Sequence, residues 1–426
     1  MPHATPLITT IVAGLGLAFL LALLAHRLRL PLIAGYLAAG IVIGPFTPGY
    51  VADMDLATEL AELGVILLMF GVGLHFSLRD LLSVRAIAVP GALGQIAVAT
   101  LAGMGLGWMM GWGWGAGLLF GLCLSVASTV VLLRALQERD LVRTERGRIA
   151  VGWLIVEDLV MVIALVLVPS LAGLLGGVTV DAGPTDVAGE LAEEIAGEML
   201  GAGLWAVLLL TLLKVGVFLA FMLIVGRRAI PWVLHRTANL HSRELFRLAV
   251  LSIALGVAWG ATKLFGVSFA LGAFFAGLVM ATSTFSQQAA RETLPLRDAF
   301  AVLFFVSVGM LFDPAILVEA PCAVLGTVLA ILVVKSAAAY GIVRLARHDR
   351  GTALTISAAL AQIGEFSFIL VTLGLSLGIL PGMARDLVVA GAMISIVANP
   401  FVFAALDRFL AREAARHAAT HPEASA

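Results

Sequence analysis

The chain has 426 residues, of which 61% are hydrophobic and only 12% charged, and its mean hydropathy is +1.07. Soluble domains carry about 25% charged residues. A chain of this length could not cover so large an apolar core with so few polar side chains. The composition therefore excludes a soluble globular protein and predicts an all-α integral membrane protein that lies in the lipid bilayer. The formal net charge of -1 gives no sign of a nucleic-acid partner.

Thirteen apolar segments are predicted to cross the membrane. They lie at about 7–25, 30–47, 58–76, 86–110, 115–136, 147–175, 203–226, 245–264, 266–284, 298–313, 320–344, 352–378 and 384–406. Of the 26 Lys and Arg residues, 22 fall on one side of this layout. Because basic loops stay in the cytoplasm, we predict a cytoplasmic (inner) membrane protein with its N-terminus outside and its C-terminus inside.

An internal repeat is predicted at an offset of 236 to 237 residues. The stretch LIAGYLAAGIVIG matches FALGAFFAGLVMA, and ELGVILLMFGVGLHF matches DAFAVLFFVSVGMLF at nearly the same offset. The offset equals seven segments, an odd number, so the second copy must be inverted across the membrane. Inverted repeats are typical of secondary transporters, whose sites lie near the midplane where broken helices meet. The matches pair Gly35 with Gly272, Gly40 with Gly277 and Gly73 with Gly309.

The repeat divides the chain into four predicted parts. Residues 1–176 form the first six-helix repeat and residues 245–410 the second. Residues 177–244 between them comprise an acidic extracytoplasmic loop, a linker span and a basic cytoplasmic loop, and residues 411–426 form a short cytoplasmic tail.

Five ionisable residues are predicted inside the membrane: Glu157, Asp158, Lys214, Lys335 and Glu365. A charge at the bilayer centre costs about 2.5 to 3.5 kcal/mol on insertion scales, so each needs a partner or a function. Adjacent helical residues point about 100° apart, so Glu157 and Asp158 need different partners. We predict Lys335 as the counter-ion of Glu157, which leaves Asp158 to bind either a proton or a cation, as an antiporter requires. A purely structural charge network is the alternative, and for Lys214 we favour a structural or lipid-facing position.

Two polar, glycine-containing centres interrupt the fifth and twelfth segments, which are partners in the repeat. Such centres are where membrane helices unwind and expose main-chain groups to an ion. We therefore predict two broken helices along the ion pathway, although Ser and Thr also serve helix packing, and Glu365 could neutralise a helix end or line the cytoplasmic funnel. The residues concerned are Ser125, Ser128 and Thr129 in the fifth segment, and Gln362, Gly364, Glu365 and Ser367 in the twelfth.

No enzymatic motif is present in the sequence. Its glycine-rich stretches do not have the GxGxxG spacing after a soluble strand, and there is no Walker or HExxH motif. We predict no enzyme activity and no cofactor.

Five stretches resemble the monovalent cation:proton antiporter-2 family, and its Kef-type potassium/proton antiporters in particular. They are LPLIAGYLAAGIVIGP, LAELGVILLMFGVGLHFSL, VEDL, LRDAFAVLFFVSVGMLFD and AQIGEFSFIL. The resemblance implies the sodium/proton antiporter fold, with crossed broken helices in a core domain, a dimerisation domain that makes a homodimer, and an elevator-like movement of the core. It also implies that Asp158 binds the ion and the proton, and that Lys335 pairs with the preceding Glu157.

The chain departs from the Kef-type pattern at two places. Kef-type sequences usually have Gln, and other relatives Asn or Asp, where this chain has Glu157. Relatives with two carboxylates tend to be electrogenic and the amide type electroneutral, so the stoichiometry is left open. Kef-type proteins also commonly carry a cytoplasmic nucleotide-binding domain after the last helix, so we expect a short form without it, or one whose regulatory domain is missing or separate.

The leading prediction is exchange of K⁺ or Na⁺ for H⁺ by alternating access. A gated monovalent-cation efflux channel and a proton-translocating subunit of a redox complex are the alternatives.

Overall fold

The computed structural model describes residues 6–28, 30–75, 78–178, 204–240 and 242–420, and most of them are helical. Within these residues, ten helices are long and apolar enough to cross a membrane, and three shorter apolar helices accompany them. Each overlaps one of the thirteen predicted segments. The multi-pass all-α class is confirmed, while the number of crossings stays a prediction. Most of the predicted acidic loop and the end of the predicted tail lie outside the described residues.

Seven helices lie in the described residues from 6 to 178. They are α1 (Pro6–Arg27), α2 (Leu32–Ile43), α3 (Met54–His75), α4 (Leu78–Met109), α5 (Trp114–Ser125), α6 (Thr129–Gln137) and α7 (Glu145–Ser170).

A helix with a π-helical turn follows in the predicted linker, and nine further helices complete the described chain. The linker holds α8 (Leu204–Phe221), the π-helical turn Met222–Gly226 and α9 (Arg227–Asn239). The rest are α10 (Arg243–Phe265), α11 (Phe269–Ala281), α12 (Ser286–Met310), α13 (Ile316–Glu319), α14 (Pro321–Leu329), a π-helical turn Ala330–Lys335, α15 (Ser336–Leu345), α16 (Arg350–Ala359), α17 (Glu365–Ser376) and α18 (Gly382–Thr420).

The helices pack into two bundles. In the scaffold bundle, which we define as α1–α3 and α8–α12, α3 packs against α11 and α12, and α2 packs against α1 and α12. In the core bundle, α4–α7 and α14–α18, α4 packs against α5 and α7, while α16 contacts α7, α15 and α18. Each bundle takes helices from both predicted repeats.

Close glycine contacts hold the scaffold bundle together. A Cβ at Gly40 of α2 would overlap the main chain of α12 beside Gly309, and one at Gly277 of α11 would overlap the main chain of α3 beside Gly73. The predicted offset converts the first contact into the second, because it pairs Gly40 with Gly277 and Gly309 with Gly73. This reciprocity supports the repeat, which stays a prediction.

Ion pairs join helix ends of the core bundle on the side predicted to be cytoplasmic. Asp349 also caps α16, since its carboxylate accepts a hydrogen bond from the Thr352 main-chain N–H at 2.9 Å. Slight burial alone would raise the pKa of Asp349, but hydrogen bonds from Thr352 and the charge of Arg146 hold it below its ordinary value. The pairs are Arg139 with Asp407 at 3.0 Å, Arg146 with Asp349 at 3.2 Å and Arg350 with Glu413 at 3.2 Å.

Candidate functional site

Two helices of the core bundle are broken where their polar centres lie. The chain is extended at Val126 and Ser128 between α5 and α6, and the Ser128 side chain caps α6 by accepting a hydrogen bond from the Val131 N–H at 3.4 Å. Between α16 and α17 the chain is extended at Gly364. A side chain there would overlap Ser128, so this position requires glycine. The breaks lie in the predicted fifth and twelfth segments.

The two breaks are joined by a pair of hydrogen bonds through one side chain. The Ser128 N–H donates to Gln362 Oε1 at 2.9 Å, and Gln362 Nε2 donates to the Ser128 carbonyl at 3.2 Å. Both residues are fully buried. The main-chain groups freed by the breaks therefore satisfy part of their hydrogen bonding across the crossing, as a buried unwound helix must.

Two buried charges lie at the ends of the half-helices. The Ala127 N–H, just before α6, donates to Glu157 Oε2 at 2.8 Å. The Lys335 ammonium, at the end of the second π-helical turn, donates to the Gln362 carbonyl just after α16 at 3.0 Å. An anion at a helix N-terminus and a cation at a C-terminus each complement the helix dipole. Glu157 and Lys335 are thus held at the breaks.

The predicted ion pair of Glu157 and Lys335 has no direct hydrogen bond among the described residues. The Lys335 ammonium donates to the Gln362 carbonyl at 3.0 Å, and the Glu157 carboxylate accepts the Ala127 N–H at 2.8 Å. Glu157 Oε1 is buried and has no hydrogen-bond partner. The role of Lys335 as counter-ion stays a prediction.

Asp158 lies beside the N-terminus of α6. Its side chain is 5% exposed, and its Oδ2 accepts a hydrogen bond from the Thr129 hydroxyl at 3.3 Å. Its Oδ1 is buried and has no hydrogen-bond partner among the described residues. A buried carboxylate oxygen that is left unsatisfied costs free energy, which a bound proton or cation would recover.

Two further predicted residues lie at the start of α17. Glu365 is its first residue and is 2% exposed, and Ser367 is fully buried. Within the part of the chain that the structure describes, Glu365 Oε2 and the Ser367 hydroxyl have no hydrogen-bond partner. Together with the contacts of Ser128, Gln362 and Gly364, these positions place polar residues of the predicted fifth and twelfth segments at one crossing. Ser125 differs, because its hydroxyl donates within α5 to the Leu122 carbonyl at 2.8 Å.

Sequence reasoning missed two side chains that support the breaks. Gln95 of α4 is fully buried, donates to the Ser125 carbonyl at the end of α5 at 2.9 Å, and accepts a hydrogen bond from the Trp153 indole at 3.3 Å. Asn399 of α18 donates to the Ala358 carbonyl near the end of α16 at 2.9 Å. Both satisfy carbonyls that a helix end leaves free. A lone amide in an apolar segment was the signal for each.

Broken, crossed helices with buried charges at their ends define the class as an ion-transporting membrane protein. The family model described as sodium/hydrogen exchanger, transmembrane, matches residues 15–406. The chain therefore belongs to this family of transmembrane exchangers, and the resemblance to cation/proton antiporters is confirmed.

Curated relatives agree with this family. YbaL of Escherichia coli (strain K12), whose name assigns it provisionally to the cation/proton antiporters, is 59% identical over 412 residues, which cover 97% of this chain and 70% of YbaL. K(+) efflux antiporter 6 of Arabidopsis thaliana is 33% identical over 376 residues, which cover 88% of this chain but only 59% of the plant protein.

Solved structures show the same fold. The sodium proton antiporter MjNhaP1 from Methanocaldococcus jannaschii aligns with a TM-score of 0.61 at 16% identity, covering 93% of this chain and 96% of that one. The predicted sodium/proton antiporter fold is confirmed.

Proposed function

We propose that the protein exchanges a monovalent cation, K⁺ or Na⁺, for H⁺ across the cytoplasmic membrane, with Asp158 as the ion and proton site. The observation that carries this proposal is the unpartnered Oδ1 of Asp158, a buried carboxylate oxygen beside the crossing of two broken helices. Proton and cation neutralise the same carboxylate, so each excludes the other.

Coupling follows from the cost of an empty site. An ionised, unoccupied carboxylate is unfavourable at membrane depth, so the core bundle moves past the scaffold bundle only when Asp158 holds a proton or a cation. Glu157 and Lys335 stay in place during this cycle, because each is tied to the main chain at a helix break. Alternating access by such a movement gives obligatory exchange.

Both cations are substrates to be tested. The names of its relatives support each of them, since the plant relative is called a K(+) efflux antiporter and the structural neighbour a sodium proton antiporter. We further propose that the N-terminus lies outside and the C-terminus in the cytoplasm, as the distribution of basic residues predicts. The resemblance to cation/proton antiporters supports a homodimer.

The variant Asp158→Asn tests the assignment of the site. The purified protein is placed in proteoliposomes that contain a pH-sensitive dye, and NaCl or KCl is added outside. Wild type should move protons in response to at least one cation. Asp158→Asn should lose this response because an amide can neither release a proton nor neutralise a cation. Cation-driven proton flux that persists in a folded Asp158→Asn variant would refute the assignment.

A further inference from the structure

We propose that Glu365 is a second ligand of the transported cation, which binds between Asp158 and Glu365 and not between the sequence neighbours Glu157 and Asp158. The inference rests on the proposed function of Asp158 and adds a ligand to the same site. The two carboxylates that bind the cation are thus identified by their positions in the fold and not by adjacency in the chain.

Asp158 and Glu365 approach the same half-helix from two different helices. Asp158, on α7, accepts a hydrogen bond from Thr129, the first residue of α6. Glu365, the first residue of α17, directly follows Gly364, whose main chain lies so close to Ser128, the residue that caps α6, that a side chain there would overlap it. The two carboxylates thus meet at adjacent residues of one helix N-terminus. Each is at least nine-tenths buried and has one oxygen without a partner.

Glu157 is already engaged elsewhere. Its Oε2 accepts the Ala127 N–H at 2.8 Å, so one of its two oxygens is tied to the main chain before α6. Asp158 and Glu365 share the surroundings of the α6 N-terminus, where Asp158 bonds Thr129 and the residue before Glu365 lies against Ser128. Two buried carboxylates that repel each other favour a cation between them.

The groups around Glu365 fit a small cation. Na⁺ and K⁺ are bound by oxygen atoms, and the partnerless hydroxyl of Ser367 adds an oxygen at the start of α17. Phe368, three residues after Glu365 on α17, packs against Phe304 and Phe305 of α12 in the scaffold bundle. A cation at this position would therefore lie at the face where the core bundle meets α12.

Cation dependence of transport tests the second ligand. In proteoliposomes of the full chain, the KM for Na⁺ and for K⁺ and the maximal rate are measured for wild type, Glu365→Gln, Glu365→Asp and Asp386→Asn. Glu365→Gln should raise the KM of the transported cation about 10- to 100-fold, the effect of losing one contact with a charged group. Glu365→Asp should recover part of this loss because it keeps a carboxylate. Asp386→Asn removes another buried carboxylate of the core bundle, one that already has Arg385 as its partner at 3.1 Å, and should leave the KM unchanged.

Three results would overturn the inference. They are an unchanged KM in Glu365→Gln, an equal KM shift in Asp386→Asn, and a Glu365→Asp variant that is as impaired as Glu365→Gln. Thermal unfolding of each variant, with and without the cation, checks that it is folded. Failure of the proposed function is distinguishable, since it would appear as transport that survives Asp158→Asn whatever the Glu365 variants do.

Discussion

Glu157 and Asp158 are adjacent in the chain but have different surroundings in the fold. Glu157 accepts a main-chain N–H at a helix break, whereas Asp158 accepts a hydrogen bond from a hydroxyl, and each has one oxygen without a partner among the described residues. The rotation of about 100° per helical residue is the physical reason, because it directs neighbouring side chains to different elements. One carboxylate can therefore support the structure while the other remains available for exchange.

Replacing Lys335 alone should lower the free energy of unfolding more than replacing both Lys335 and Glu157. Lys335→Met leaves Glu157 as a buried charge without an opposite charge, which costs about 3 to 5 kcal/mol in buried pairs, and the free energy of unfolding should fall accordingly. The double variant Glu157→Gln with Lys335→Met should recover a large part of that loss. Both are measured by denaturant unfolding in detergent.

The control for this cycle is Lys263→Met, which removes an exposed lysine near the end of α10 and should change little. A strictly additive double variant would show that Glu157 and Lys335 do not interact, and would remove the support for Lys335 as counter-ion.

Two features determine how the helices are arranged. Helices of the core bundle are broken, and helices of the scaffold bundle pack closely at glycines. The close approach of α2 to α1 at Gly35 and Ala22 has a counterpart in α11 and α10 at Gly272 and Ala258. The predicted offset of 236 to 237 residues relates these contacts too. Small residues allow such approaches in lipid, where helix packing replaces the hydrophobic effect.

Alanine substitutions separate packing glycines from incidental ones. Gly40→Ala and Gly277→Ala each place a Cβ on a main-chain oxygen, which cannot rotate away, and should lower the free energy of unfolding by about 2 to 3 kcal/mol. Gly16→Ala and Gly256→Ala are matched controls in α1 and α10, where a Cβ would meet nothing within 4 Å. These should be neutral or stabilising by about 0.5 to 1 kcal/mol, because alanine favours a helix. Equal effects in the two sets would contradict the packing described for α2 and α11.

Much of the molecule could be predicted from its sequence. Apolar segments and basic loops are long-range patterns that depend on the membrane itself, so they indicated the class and the segments, and Ser128 and Gly364 indicated where two of the segments break. The support of those breaks could not be predicted. The sequence shows Gln95 as a single amide in an apolar helix, but not that it bonds the end of α5. No sequence pattern indicated the π-helical turn that ends at Lys335.

In the whole molecule, the core bundle contains the proposed ion site, and in the proposed cycle it moves while the scaffold bundle stays in place. This arrangement predicts a carrier, in which each cation that crosses is exchanged for protons, and not a channel. The bundles would then have to move once in every cycle.

The most direct test is cation uptake driven by a proton gradient alone. Purified protein in proteoliposomes that are acidic inside, with radioactive Na⁺ or Rb⁺ (as a substitute for K⁺) outside, should accumulate the cation above its external concentration, and a protonophore should abolish the accumulation. Uptake that only equilibrates the cation, at a rate that is insensitive to the pH gradient, would contradict exchange and indicate a channel.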